Sequence, residues 1–217
     1  MYFVVRKDAR LTRGQGMAMA GAAADECRLA YADDPVWATW WPRQRKVALR
    51  ATAEELASIR ADHPGVGDET LACLVPMRQS ERSEVLAGLR GFTDAKAPAE
   101  PPAPVPDDVP ALVYVIREGV MKTTGKAMAQ AGHAALIAAD EVGGDGFTVW
   151  RAAGRPGEVL IAPDEATWAE LRSRPDAAVI ADGGLTQVKP GTETVIGLAP
   201  VPRLERPALV RGLAPVV

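Results

Sequence analysis

The chain has 217 residues, enough for one large domain or two small ones. Apolar residues make up 47 % and charged residues 24 %, the balance of a globular protein rather than a disordered or membrane-spanning one. A net charge of -3 argues against a generally basic nucleic-acid binder, though not against a local basic patch, and two cysteines, Cys27 and Cys73, are too few for a disulfide framework or a zinc cluster.

In chain order, an apolar run predicts a strand over 2–6, then a small-residue helix over 16–30, a strand over 46–50 and a helix over 53–61. Residues 83–89 read as either strand or helix. Residues 95–110, AKAPAEPPAPVPDDVP, hold six prolines, which exclude helix interior and central strand and read as a polyproline-like spacer. Beyond it come a strand over 113–117, a long Ala- and Gly-rich helix over 125–140 and a strand over 158–162. A helix then runs from 163 to 174 with Asp164 as its cap, followed by strands over 178–181 and 194–199. No apolar run approaches membrane-span length and no charged-then-apolar leader opens the chain, so the expectation is a cytoplasmic protein.

The two sides of the spacer align without a gap. Phe3-Val4-Val5-Arg6 falls on Tyr114-Val115-Ile116-Arg117, Thr12 on Thr123, Gly14 on Gly125, Met17-Ala18 on Met128-Ala129, and Ala20-Gly21 on Ala131-Gly132. An internal duplication is expected. The resulting fold class is α/β: two similar three-layer domains, each a small mostly parallel or mixed sheet flanked by helices, over 1–93 and 112–202. A Pro-rich linker (94–111) joins them, and a tail (203–217) follows for which the sequence suggests no function.

Chemistry concentrates in the second half. Lys126 stands in the first turn of the long helix, where backbone N–H groups and the dipole attract anions; by propensity a lysine is misplaced there, so it is either a solvated surface residue or part of an anion site. Asp182 ends a strand at the edge where α/β sheets open into binding crevices; it either forms the turn before Gly183-Gly184 or orients a water. Thr186, Thr192 and Thr194 flank Pro190-Gly191, a type II turn signal, and their hydroxyls can donate to a phosphate or a developing oxyanion. Gln130 and His133 follow Lys126 by four and seven residues on one helix face; His133 is either a packed, hydrogen-bonded core residue or, less often for an Ala-rich helix, a catalyst. Two histidines argue against a metal site, and no Walker loop, GxGxxG or serine elbow suggests a cofactor or a covalent nucleophile.

GKAMAQAGHAA at 125–135 and DGGLTQVKPGTET at 182–194 together resemble the signature pair of the type II (archaeal/eukaryotic-type) peptidyl-tRNA hydrolases. The resemblance covers about residues 112–202, with its pieces in family order. It implies hydrolysis of the ester that joins a peptide to the terminal ribose of tRNA, with peptidyl-tRNA, at its acceptor end, as partner and no cofactor or metal. Carried onto this chain, it implicates Lys126, Asp182, Thr186 and Thr194 in catalysis, and Gln130, His133, Thr192 and Arg117 in substrate binding. The first half departs from the pattern at these sites: Gln15 stands for Lys126, Met19 for Gln130 and Ala22 for His133. The family acts as homodimers of single domains, so an intramolecular pseudo-dimer with a non-catalytic first half is expected. The alternatives are a non-catalytic tRNA-binding or regulatory protein on the same scaffold, and a hydrolase of a related aminoacyl ester.

Overall fold

The computed structural model describes residues 1–40, 45–94, 103–184 and 188–216. Strand β1 (Tyr2–Arg6) leads to helix α1 (Arg13–Ala30), then α2 (Val36–Trp40), β2 (Val47–Ala51) and α3 (Ala53–Asp62). Strands β3 (Gly65–Gly67) and β4 (Leu71–Leu74), helix α4 (Glu84–Gly88) and the short strand β5 (Arg90–Gly91) complete the first half. The second half runs β6 (Ala111–Arg117), α5 (Thr124–Ile137), α6 (Asp145–Ala152), β7 (Gly157–Ala162), α7 (Glu165–Arg172), β8 (Ala177–Ala181), β9 (Glu193–Val201), α8 (Ala208–Arg211) and β10 (Ala214–Pro215).

Local chemistry explains where these elements start. Thr12 and Gln15 form a reciprocal capping box, so α1 begins at Arg13, three residues before the run of small residues suggested. Ser83 accepts from Leu86 N at 3.3 Å, and the segment that could read either way is helix α4. Asp164 caps α7 as expected, accepting from Thr167 N at 2.8 Å. Helix α5 ends earlier than expected and passes into a single π turn over Ala138–Val142.

Among the described residues the strands form two five-stranded sheets, ordered β3-β4-β1-β2-β5 and β8-β9-β6-β7-β10. In each, a single pair is parallel, β1 with β2 and β6 with β7, and the other pairs are antiparallel. The sheets are therefore mixed, with antiparallel pairs dominant, rather than mostly parallel. Parallel neighbours need a long crossover, which α1–α2 and α5–α6 supply between paired strands, whereas the connections after β3 and β8 join antiparallel neighbours. The part of the expected Pro-rich spacer at 95–102 lies outside the described residues. The chain after 202 is tied to the second sheet: β10 pairs with β7, and Arg206 pairs with Glu158.

Each sheet is covered on both faces. In the first, Tyr2, Val4 and Leu49 point toward Leu56 and Ile59 of α3, while Phe3 and Val5 point toward α1. In the second, Val113, Val115 and Leu160 meet Trp168 and Leu171 of α7, while Leu112 and Tyr114 face α5 and α6. Helices α1 and α5 pack against each other between the sheets, and their contacts are reciprocal. Gly21 of α1 lies on Tyr114 of β6, and Gly132 of α5 lies on Phe3 of β1, where an added Cβ would come within 2.6 Å of the ring. Gly14 abuts the Val216 carbonyl and Gly125 abuts the Phe92 carbonyl. Met17 is buried in the core of the second half and Met128 in that of the first. The matched glycines, the two aromatic rings and the two methionines are each separated by the same 111 positions. Asp25, 1 % exposed on α1, receives Arg151 and Arg155 from the second half at 2.8 Å each.

Candidate active site

The site forms at the carboxyl end of the second sheet. Strands β6 and β8 run in the same direction with β9 between them, so the end of β8 and the loop from β6 into α5 open on one edge. Asp182 follows β8 and is 5 % exposed. Its Oδ2 pairs with the Lys126 ammonium and accepts from the Gln130 amide, both from α5. Its Oδ1 accepts from Gly184 N at 2.7 Å, which Gly184 permits by adopting φ +73°. Its main chain is clamped as well: Asp182 N donates to Thr192 O and Gly191 N donates to Asp182 O, both at 2.8 Å.

The turn that closes this loop matches the expectation from Pro-Gly. Thr192 N donates to Lys189 O at 3.1 Å across Pro190-Gly191, and Gly191 has φ +80°. Thr194 is fully buried and its hydroxyl donates to Ile180 O at 3.2 Å, fastening β9 to β8 two residues before Asp182. Thr192 joins the site through its carbonyl, as the acceptor for Asp182 N. Thr186 lies outside the described residues.

The start of α5 behaves differently from a bare helix N-terminus. Thr124 N and its hydroxyl both donate to Asp94 Oδ1, at 2.9 and 2.7 Å, and Gly125 N donates to Thr93 O at 3.0 Å. Lys126 N donates to Thr123 Oγ1 at 3.3 Å. The protein's own acceptors thus occupy the first-turn N–H groups, two of them, Thr93 and Asp94, supplied by the junction of the first half and the linker, and the cation offered to the site is the Lys126 ammonium.

Two expected residues stand apart from this cluster. Arg117, at the end of β6, pairs with Glu165 and lies 5.3 Å from the Trp168 ring centroid. His133 faces the first half, with Nδ1 3.1 Å from the Lys46 ammonium. Lys46 is 8 % exposed and lies 4.7 Å from the centroid of the Trp40 ring. Burial, and then the neighbouring Lys46 charge, hold His133 well below its ordinary 6.5; burial likewise holds Lys46 well below 10.5.

A buried carboxylate gripped by lysine, amide and backbone N–H donors is suited to orienting one water beside a cation able to stabilise a developing oxyanion. The protein-family model of the peptidyl-tRNA hydrolase PTH2 matches residues 111–214, which hold every residue of this cluster. A peptidyl-tRNA hydrolase of Pyrobaculum aerophilum is 36 % identical over 101 residues, covering 42 % of this chain and 84 % of that protein. The chain belongs to the PTH2 family. Bovine peptidyl-tRNA hydrolase 2, mitochondrial, is 33 % identical over 99 residues, covering 42 % of this chain. Yeast (Saccharomyces cerevisiae) peptidyl-tRNA hydrolase 2 is 35 % identical over 114 residues, covering 45 % of this chain. The chain spans about half the length of these two relatives, 55 % in each case.

Lys126, Gln130 and Asp182 all lie within the residues 111–214 that the family model matches. The sequence did not reveal that Thr93 and Asp94, where the first half meets the linker, cap the helix bearing Lys126, or that Lys46 meets His133. These contacts cross 30 residues of chain in the Asp94 case and 87 in the Lys46 case. The sequence offered Lys46 only as one of the basic residues Arg43, Arg45, Lys46 and Arg50 near Trp37, Trp40 and Trp41, either a tRNA-facing surface or a solvated face, with nothing to pair it with His133.

Proposed function

We propose that the chain hydrolyses the ester bond of peptidyl-tRNA, releasing tRNA and peptide, and that its second half carries out the chemistry. The observation that carries this reading is the Asp182 carboxylate, buried at a strand end and held by Lys126, Gln130 and Gly184 N–H. Asp182 positions the attacking water and takes its proton. Lys126 shifts toward the ester carbonyl as negative charge develops on its oxygen. Water adds to the carbonyl carbon, and the ribose 3′-oxygen departs with a proton, so the products are a free carboxyl group and a free ribose hydroxyl. Gln130 keeps the carboxylate oriented through its amide N–H. Thr194 and Thr192 hold the loop, Thr186 binds the reacting end, and Arg117 contacts a phosphate at the mouth of the site. His133 supports the helix face next to Gln130.

In this reading the two halves are products of one duplication and form an intramolecular pseudo-dimer over 1–93 and 112–202, the first half taking the place of a partner subunit. The identical strand order and the reciprocal Gly21–Tyr114 and Gly132–Phe3 contacts support it. Gln15, Met19 and Ala22 leave the first half without the catalytic set. The setting is cytoplasmic, consistent with two buried free cysteines.

Cleavage of N-acetylaminoacyl-tRNA by the purified chain tests the reading, with folding followed by circular dichroism. Asp182→Asn and Lys126→Ala are each expected to lower kcat by roughly 10²- to 10³-fold, while the proteins remain folded. A folded wild-type chain that binds tRNA without turning it over would favour a non-catalytic tRNA-binding protein instead.

A further inference from the structure

We propose that a basic cleft on the first half is a phosphate-binding extension of this site, taking the sugar-phosphate backbone of the tRNA whose acceptor end is being cleaved; this rests on the hydrolase reading. The cleft, about 350 Å³, lies at the carboxyl ends of β1 and β2 and is lined by Lys7, Arg50 and Arg90. All three side chains are exposed, and among the described residues none is in an ion pair. Two carboxylates also line it, but both face helix caps: Glu55 accepts from Thr52 N at 2.7 Å, and Asp94 accepts from Thr124.

Three observations point to an anion. Arg50 and Arg90 are direct partners across the β2–β5 pairing, and like charges so placed repel unless a counter-charge sits over them. The scaffold does not require these cations: the structurally equivalent positions of the second half carry Glu118, Ile161 and Ala214. The chain is acidic overall, so three cations in one cleft are a local feature. The cleft also adjoins the active site. Its rim residues Thr93 and Asp94 are the groups that accept from Gly125 and Thr124, one and two residues before Lys126. A polyanion whose end lies at Lys126 and Asp182 can follow this rim, and diffuse phosphate binding needs only exposed, unpaired cations.

The test uses the full chain and the triple variant Lys7→Gln, Arg50→Gln, Arg90→Gln. Arg60→Gln, Arg78→Gln, Arg211→Gln serves as the charge-matched control outside the cleft, and the three single cleft variants serve in place of the triple if it misfolds. Binding of deacylated tRNA is titrated over a range of salt. The cleft triple is expected to bind roughly tenfold or more weakly, with a slope of log K against log salt shallower by about one per cation removed. The control should stay closer to wild type. In hydrolysis, kcat/KM for N-acetylaminoacyl-tRNA should fall by a similar factor relative to that for the N-acetylaminoacyl ester of adenosine, which has no acceptor stem. Binding and salt slope equal to wild type overturn the proposal, as does a control that loses as much as the cleft triple. If wild type cleaves neither ester while the cleft triple still loses tRNA binding, the hydrolase reading fails and the cleft stands.

Discussion

At the scale of single residues, the site divides into groups that a motif makes visible and groups that only folding brings near. Lys126, Gln130 and Asp182 were legible because small residues, a glycine-rich loop and a proline-glycine turn surround them in a fixed order. What the sequence could not show is that Asp182 is so completely engaged, since its donors lie 56, 52 and two residues away along the chain. From its place in an Ala-rich helix His133 reads as either a packed core residue or a catalyst, and its placement against Lys46 has a measurable consequence. Lys46, the chain amino group and Lys126 all face it and, after burial, hold its imidazolium down. The folded protein therefore resists taking up a proton that the unfolded chain accepts from about pH 6.5 downward. The stabilisation is complete above 6.5 and is lost as pH falls through the folded value. Urea midpoints measured at about pH 7 and about pH 5 should fall less for His133→Gln than for wild type.

At the scale of elements, the clear strands and the two long helices were legible, because strands β6 to β9 carry apolar runs and α1 and α5 carry uninterrupted small residues. Helix α6 was not foreseen: it starts just after Gly143-Gly144, and its Phe147 and Trp150 reveal a buried face only once the sheet is in place. Strand β10 was missed for a similar reason, since two residues have no periodicity and gain their conformation from pairing with β7. The capping of α5 from the first half makes its own prediction. Asp94→Ala removes the acceptor for both Thr124 N and its hydroxyl. It should cost about 1 kcal/mol of stability by thermal or urea unfolding, and lower kcat through misplacement of Lys126, although residue 94 lies outside the family-like half.

At the scale of the whole molecule, the halves are joined by an interface that mixes close glycine packing with a buried charge cluster. Asp25 stands on the first half and its two arginines on the second. Its hydrogen bond to Arg151 raises the guanidinium pKa above the ordinary value, the direction expected of a pair that is formed in the folded state. Asp25→Asn should lower stability by about 2 kcal/mol, less than the roughly 3–5 kcal/mol of a fully buried pair because both arginines remain partly exposed. Differential scanning calorimetry would show this as a drop in Tm. The similarity of the halves was legible as a run of matches at constant spacing. Their mode of association was not, because the matched glycines signal close approach without naming the surface approached.

Met17 and Met128 give this arrangement a further consequence. Each is buried in the core of the opposite half, so neither core is complete by itself. In an assembly of separate chains such an exchange would dissolve at low concentration, following mass action. Here the two surfaces belong to one polymer and meet at a local concentration set by the connecting chain, not by the solution. Specific activity should therefore stay constant on dilution into the nanomolar range, and the two surfaces are free to diverge in sequence, since a change on one is never copied onto the other.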